Sequence, residues 1–276
     1  MSFNSVNTNR QAVFALQSLN QTNAALSGVQ KRVSTGFRVA DARDDGGAFA
    51  VAQAVRSDVA GVTAVNEQLG GVKGVLQTTF ASLSTVSDTM KQVRATLTRL
   101  ADGAIDATQR AQYNEQYVQL SAQIASFIDD AKYNGKTLLS TATGAAGGGD
   151  IVGIRNEDGG TFTVSATDGA LLKVAATAPV AATDAITYLN GGFTTIDSAI
   201  STALNKFGAS MQYVENQINY NAKKVDALND GLGALVDADL AKESSNLQAL
   251  QTRQQLGIQT LSLANQGPQV LLSLFR

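Results

Sequence analysis

The stretch "GVTAVNEQLGGVKGVLQTTFASLSTVSDTMKQVRATLTRL", residues 61–100, decides the fold. Starting from Val59, its apolar positions are Val62, Leu69, Val72, Leu76, Phe80, Leu83, Val86, Met90, Val93, Leu97 and Leu100. The steps are threes and fours with one seven, the spacing of a heptad seam on one face of a helix. Read back to Asp44, the pattern predicts one helix of roughly 57 residues, about 85 Å long at ~1.5 Å per residue. Compact domains rarely contain such an element. "LADGAID" ends it at Gly103.

A second seam follows at Tyr113, Tyr117, Leu120, Ile124, Phe127 and Ala131, and stops at "KYNGKTLL", where Asn134-Gly135 is a strong turn signal. A third runs Ile186, Leu189, Phe193, Ile196, Ile200, Leu204, Phe207, Met211, Val214, Ile218, Val225, Leu228, Leu232 and Leu235. Two end segments carry narrower stripes. One holds Val6, Val13, Leu16, Leu19, Leu26 and Val33; the other holds Leu240, Leu247, Leu250, Ile258, Leu261, Ala264, Leu271 and Phe275. Asn, Gln and Ser fill the space between, so neither end segment forms a stable domain alone.

Between the second and third seams the composition changes. "TATGAAGGGD" reads as a Gly-rich loop, and "IVGIRN", "TFTVSAT" and "LLKVAA" read as short strands with turns at Asp158-Gly159-Gly160 and Asp168-Gly169. The fold class expected is mainly α: a long antiparallel helical coiled-coil bundle with its N- and C-terminal helices paired, plus a small β-rich insertion at the tip of the hairpin.

Composition removes several functions. The 276 residues include no Cys, His or Trp, so disulfide frameworks, thiolate chemistry and the commonest metal ligand are excluded. Only two Pro occur, which leaves the chain free to run in long helices. The net charge of −2 does not suggest nucleic-acid binding, and no apolar run approaches the ~20 residues of a membrane span. The N-terminus lacks the apolar core of a Sec-type signal peptide. Its first forty residues carry Arg10, Lys31, Arg32 and Arg38 and no acid, as transit peptides do, but the apolar spacing accounts for the segment better.

Two clusters with possible chemistry have plainer readings. Asp41, Asp44 and Asp45 around Arg43 resemble a carboxylate pair for acid/base work, yet caps and first-turn charges at a helix start explain them. "GGGD" lacks the Lys and the strand–loop–helix setting of a phosphate loop. No enzyme activity and no cofactor are expected.

The ends of the chain resemble those of bacterial flagellins. "LNQTNAALSGVQKRVSTGFRVADARDDGGAFAVAQAVRSDVAGV" is similar to the family's segment in which a Ser-Thr-Gly turn precedes Arg-x-x-x-Ala-x-Asp-Asp. "VDADLAKESSNLQALQTRQQLGIQTLSLANQGPQVLLSLFR" is similar to its C-terminal signature, and "KYNGKTLL" to its Phe-Asn-Gly turn, with Tyr133 for the usual Phe. The resemblance covers roughly residues 1–140 and 190–276. The short insert and the "DLAKE" wording look most like the compact flagellins of alphaproteobacteria.

That resemblance implies a structural subunit of the flagellar filament, which polymerises helically for swimming motility. It implies an inner terminal coiled coil (1–41 with 240–276), a long-helix rod domain (42–140 with 186–239) and a small surface β insertion (141–185). Implied partners are further copies of the chain, other flagellins, an export chaperone, the type III export apparatus, and hook-associated junction and cap proteins. The implied location is outside the cell, in the flagellum. Alternatives are a hook–filament junction protein or a non-polymerising coiled-coil adhesin.

The expected subunit-interface residues are Val6, Val13, Leu16, Leu19, Leu26, Val33, Leu240, Leu247, Leu250, Ile258, Leu261, Leu271, Leu272, Leu274 and Phe275. The last four lie within six residues of the C-terminus, where chain ends are usually polar, so neighbouring subunits are expected to cover them. Thr161, Thr163, Ser165 and Thr167 in the insert are candidate positions for O-linked sugars, because some flagellins carry them.

Overall fold

A computed structural model describes residues 9–141 and 147–273, with side chains as far as Gln266. Among the described residues there are six α-helices: α1 (Arg10–Thr35), α2 (Gly46–Leu100), α3 (Ala107–Asp129), α4 (Ala182–Tyr188), α5 (Thr194–Val236) and α6 (Leu240–Ser273). A hairpin of β1 (Ile151–Ile154) and β2 (Thr161–Val164) and a 3-10 turn (Gly169–Leu172) stand between α3 and α4. The chain divides into two compact units, Met1–Ser57 with Ala227–Arg276, and Asp58–Asp226.

The larger unit is built on α2. Val62, Leu69, Leu76, Leu83, Met90 and Leu97 form one buried row spaced by seven residues. Val65, Val72, Thr79, Val86, Val93 and Leu100 form a second, three positions on. This is an unbroken heptad register, the pattern that keeps a helix face turned to its partner along its length. Thr79 takes the place that the sequence reading gave to Phe80, which is half-buried. The Thr79 hydroxyl is satisfied within its own helix, donating to the Val75 carbonyl at 2.8 Å. A hydroxyl paired in this way is tolerated in a core position.

Facing α2, the row begins at Phe193, just before α5, and continues on α5 with Ile200, Phe207, Val214 and Asn221, again spaced by seven and buried. Lys73–Glu215 and Arg94–Asp197 ion pairs at 2.9 and 3.3 Å set α2 antiparallel to α5. Tyr117, Leu120, Ile124 and Ile128 of α3 complete the same core. Just before α5 a π turn, Leu189–Phe193, absorbs one extra residue. Ala185 is therefore buried and Ile186, expected on the third seam, is 45 % exposed.

The insertion belongs to this core. Ile151 and Val164 are register partners on the hairpin, and both are buried with Leu172 and Val174. "LLKVAA" is not a strand. Asp168 accepts a hydrogen bond from the Ala170 N–H at 2.9 Å and starts the 3-10 turn that lays Leu172 inward. The hairpin tip is clasped by α5. Gln217 and Asn221 donate to the Arg155 carbonyl at 3.0 and 3.2 Å, and Lys224 pairs with Glu157. That pairing lowers the Glu157 pKa and raises that of Lys224. Gly61 of α2 makes room for Glu157, since a Cβ there would lie 3.1 Å from the Glu157 Cβ.

Candidate assembly interface

The smaller unit holds the two end helices. α1 ends at Gly36, whose φ of 74° closes the helix in the left-handed conformation that glycine adopts without a Cβ penalty. α5 ends at Val236, and the two breaks pair. Arg38 N–H donates to the Val236 carbonyl at 2.7 Å, and Ala238 N–H to the Gly36 carbonyl at 2.9 Å. Val39, Ala52 and Val236 form a small core there, with Phe49, Leu232 and Leu235 around it.

The acidic cluster organises the start of α2. Asp45 caps it, accepting from the Ala48 N–H at 3.0 Å. Asp44 accepts from the Ala40 and Asp41 N–H groups, and Lys31 of α1 bridges Asp41 and Asp44 at 2.9 and 2.8 Å. The Lys31 ammonium and the Arg43 guanidinium hold the Asp41 carboxyl well below the usual range, and Lys31 and the backbone lower that of Asp44. Every carboxylate in the cluster has a structural partner.

Beyond the breaks α1 and α6 run antiparallel. Asn9 caps α1 through the Ala12 N–H and donates to the Ala264 carbonyl at 2.7 Å. Asn23 meets Gln254 at 2.8 Å, and Arg32 meets Glu243 at 3.1 Å. Gly257 lets Leu19 approach, since a Cβ there would lie 3.2 Å from the Leu19 Cδ1.

This pairing covers one face of each helix. Of the expected interface residues Leu26 is buried in it, and Leu19, Val33, Leu247, Leu250 and Leu261 are half-buried. Val13, Leu16, Leu240 and Ile258 are exposed. Sequence reasoning missed the most open large apolar residues described on α1 and α6, Phe14 at 71 % and Leu263 at 69 %, and also Leu256. Phe14 has no apolar residue seven positions away, whereas Leu256, Leu263 and Val270 repeat every seven residues and form a second apolar row beside the stripe that was read. Val6, Leu274 and Phe275 lie outside the described residues, as do the side chains of Leu271 and Leu272. In the insertion Thr161, Thr163 and Ser165 are exposed, while Thr167 is half-buried with its hydroxyl 3.3 Å from the Lys206 ammonium.

A chain with a self-contained core in one unit and apolar helices left open in the other has surface to spend on assembly. Comparison with known proteins agrees. Residues 6–143 match the bacterial flagellin N-terminal helical region, and residues 193–275 match the bacterial flagellin C-terminal helical region. The chain is a flagellin.

Flagellin FljM of Caulobacter vibrioides is 36 % identical over the whole of both chains. A flagellin of Brucella melitensis is 31 % identical over 99 % of each. Among solved structures, Bacillus cereus flagellin superposes with a TM-score of 0.52 at 24 % identity, over 56 % of this chain and 88 % of that one. A putative flagellar hook-associated protein from Vibrio parahaemolyticus gives 0.61 at 13 %, over 70 % and 100 %. At those identities the two structures speak for the fold alone. Flagellins are structural proteins, not enzymes, and this one is a subunit of the flagellar filament, a polymer of itself. Among the described residues no helix is long and apolar enough to cross a membrane.

Proposed function

We propose that this flagellin assembles chiefly through the surfaces of α1 and α6 that their mutual pairing leaves open. The observation that carries the proposal is the set Val13, Phe14, Leu16, Leu256, Ile258 and Leu263, apolar side chains exposed along the two end helices. Neighbouring subunits cover them, together with Val6, Leu271, Leu272, Leu274 and Phe275. Contacts between unlike patches generate an open helical polymer rather than a closed ring. The division of labour then follows the sequence: an inner layer at 1–41 with 240–276, the long helices of 42–140 with 186–239 outside it, and the insertion of 141–185 at the surface.

The finer partnerships rest on family membership. They are copolymerisation with other flagellins, capture of the chain by an export chaperone, passage through the type III apparatus to the cell exterior, and docking to hook-associated junction and cap proteins. Nothing in the chain favours a junction protein or an adhesin over a filament subunit. Exposed hydroxyls at Thr161, Thr163 and Ser165 would accept O-linked sugars; an intact mass of native protein equal to the sequence mass would count this out.

Deletion of Leu271 to Arg276 tests the C-terminal part of the interface. Seeded with filament fragments, the full chain is expected to give long tubes in negative-stain electron microscopy and the truncated chain to give none. Truncated protein that pellets as filaments at the full-length concentration would contradict the assignment.

A further inference from the structure

We propose that Asn134–Gly135 is a site of spontaneous deamidation in the folded protein, whereas the same dipeptide at Asn190–Gly191 is protected by its backbone. The chain contains these two Asn-Gly sequences and no others. Both have the same intrinsic chemistry, because glycine puts no side chain in the way of attack by its own nitrogen. The fold places them in opposite settings.

Asn134 and Gly135 are the two central residues of a tight turn, with φ of 49° and 74°. The turn is closed by two hydrogen bonds, Tyr133 N–H to the Lys136 carbonyl at 2.9 Å and Lys136 N–H to the Tyr133 carbonyl at 3.0 Å. Tyr133, Asn134, Gly135 and Lys136 are all exposed. Neither the Gly135 N–H nor the Asn134 side-chain amide takes part in a hydrogen bond among the described residues. The nucleophile and the electrophile are therefore adjacent and exposed, and opening two surface bonds is a local event. Lys132 and Lys136 flank the turn, and positive charge nearby favours the anion formed when the Gly135 nitrogen loses its proton.

Asn190–Gly191 lies inside the π turn that joins α4 to α5. There Gly191 lies inside a continuous helical ladder, its carbonyl accepting from the Thr194 N–H and from the Thr195 hydroxyl at 3.0 Å, and its φ is not positive. Attack requires that ladder to unwind beside the buried Phe193, which costs more than opening a surface turn.

The reaction balances without an added reagent other than water. The Gly135 nitrogen attacks the Asn134 Cγ, a new C–N bond forms, and the side-chain nitrogen leaves as ammonia. Water then opens the resulting five-membered imide at either carbonyl, giving aspartate or isoaspartate at position 134. Isoaspartate lengthens the backbone of a two-residue turn, so the paired bonds between Tyr133 and Lys136 cannot both be kept. Tyr133 packs against α2 at Gly74, where a Cβ would lie 2.7 Å from the ring, and it lines a cleft of 270 Å³ with Val72, Val75 and Ile151. Modification would thus remodel that cleft and add a carboxylate to its rim.

The test compares native full-length protein with the same protein in denaturant, both incubated at mildly alkaline pH. Isoaspartate is tagged by a protein isoaspartyl methyltransferase and located by mass spectrometry of peptides. In denaturant both sites should react at similar rates. In the native chain position 134 should react roughly tenfold faster than position 190 or more, the ratio expected from local against helical opening. Asn134→Gln should remove the native signal, since glutamine closes the corresponding ring far more slowly. Equal native rates at the two sites, a faster rate at 190, or no native reaction at 134 would each overturn the proposal.

Discussion

Lys31 sits between Asp41 and Asp44 at 2.9 and 2.8 Å, and this cluster ties the end of α1 to the start of α2. The two carboxyls have lowered pKa values in the fold, and Lys31 has a raised one. A carboxyl with a lowered folded pKa stabilises above its unfolded value, about 3.9 for Asp, and that contribution fades as pH falls through the folded value. Lys31 works at the other end: its contribution is present below about 10.4 and is lost as pH rises past its raised value. The Ala40 and Asp41 amides donate to Asp44, so their hydrogen exchange reports the cluster directly. Their protection is expected to fall as pH drops below about 4, after correction for intrinsic exchange. In an Asp41→Asn, Asp44→Asn variant it should be low at neutral pH and nearly independent of pH on the acid side. Equal acid-side slopes in the two proteins would contradict this account of the cluster.

Among the elements, α2 was the most legible, because its heptads carry large apolar residues from Val62 to Leu100. Thr79 and Asn221 were not legible. Both occupy heptad core positions with polar side chains, and what licenses each is a partner that periodicity does not reveal: Val75 within the helix, and Arg155 on the hairpin. The slip from Ile186 to Ala185 came from a π turn, whose extra residue leaves no mark in the apolar spacing. The strand expected at "LLKVAA" gave way to a capped 3-10 turn, since short apolar runs do not tell strand from other buried chain. At the interface Phe14 stands alone and left no period to read, whereas Leu263 belongs to a seven-residue repeat with Leu256 and Val270 that a single-stripe reading of α6 passed over.

The hairpin tip gives the element-scale prediction. Removing the Gln217 and Asn221 amides together (Gln217→Ala, Asn221→Ala) leaves the Arg155 carbonyl without its two donors from α5. The Arg155 N–H, which bonds the Gly160 carbonyl at 2.7 Å, should exchange roughly tenfold faster, about 1.4 kcal/mol of local opening. Amides in the middle of α2 should be unchanged. Loss of protection throughout α2 would mean that the tip is part of the global fold rather than a local clasp.

At the scale of the molecule, folding and assembly use different parts of the chain. The unit of Asp58–Asp226 has its own heptad core, in which Leu69, Leu76, Leu83, Leu97 and Phe207 are fully buried. The unit containing α1 and α6 exposes large apolar side chains that a free subunit does not cover. Burying apolar surface stabilises by roughly 25 cal/mol per Å², so these helices gain from assembly what they lack alone. Substitutions at exposed positions away from special features usually move stability by no more than about 0.5 kcal/mol.

The most direct measurement is therefore a paired one on a Phe14→Ser, Leu16→Ser, Ile258→Ser, Leu263→Ser variant. Thermal melting by circular dichroism reads the subunit, and sedimentation after seeding with filament fragments reads the polymer. The account predicts a melting curve close to that of the parent protein and no pelleted filament. Filaments forming at the parent concentration, or loss of the helical signal before assembly is tested, would contradict it.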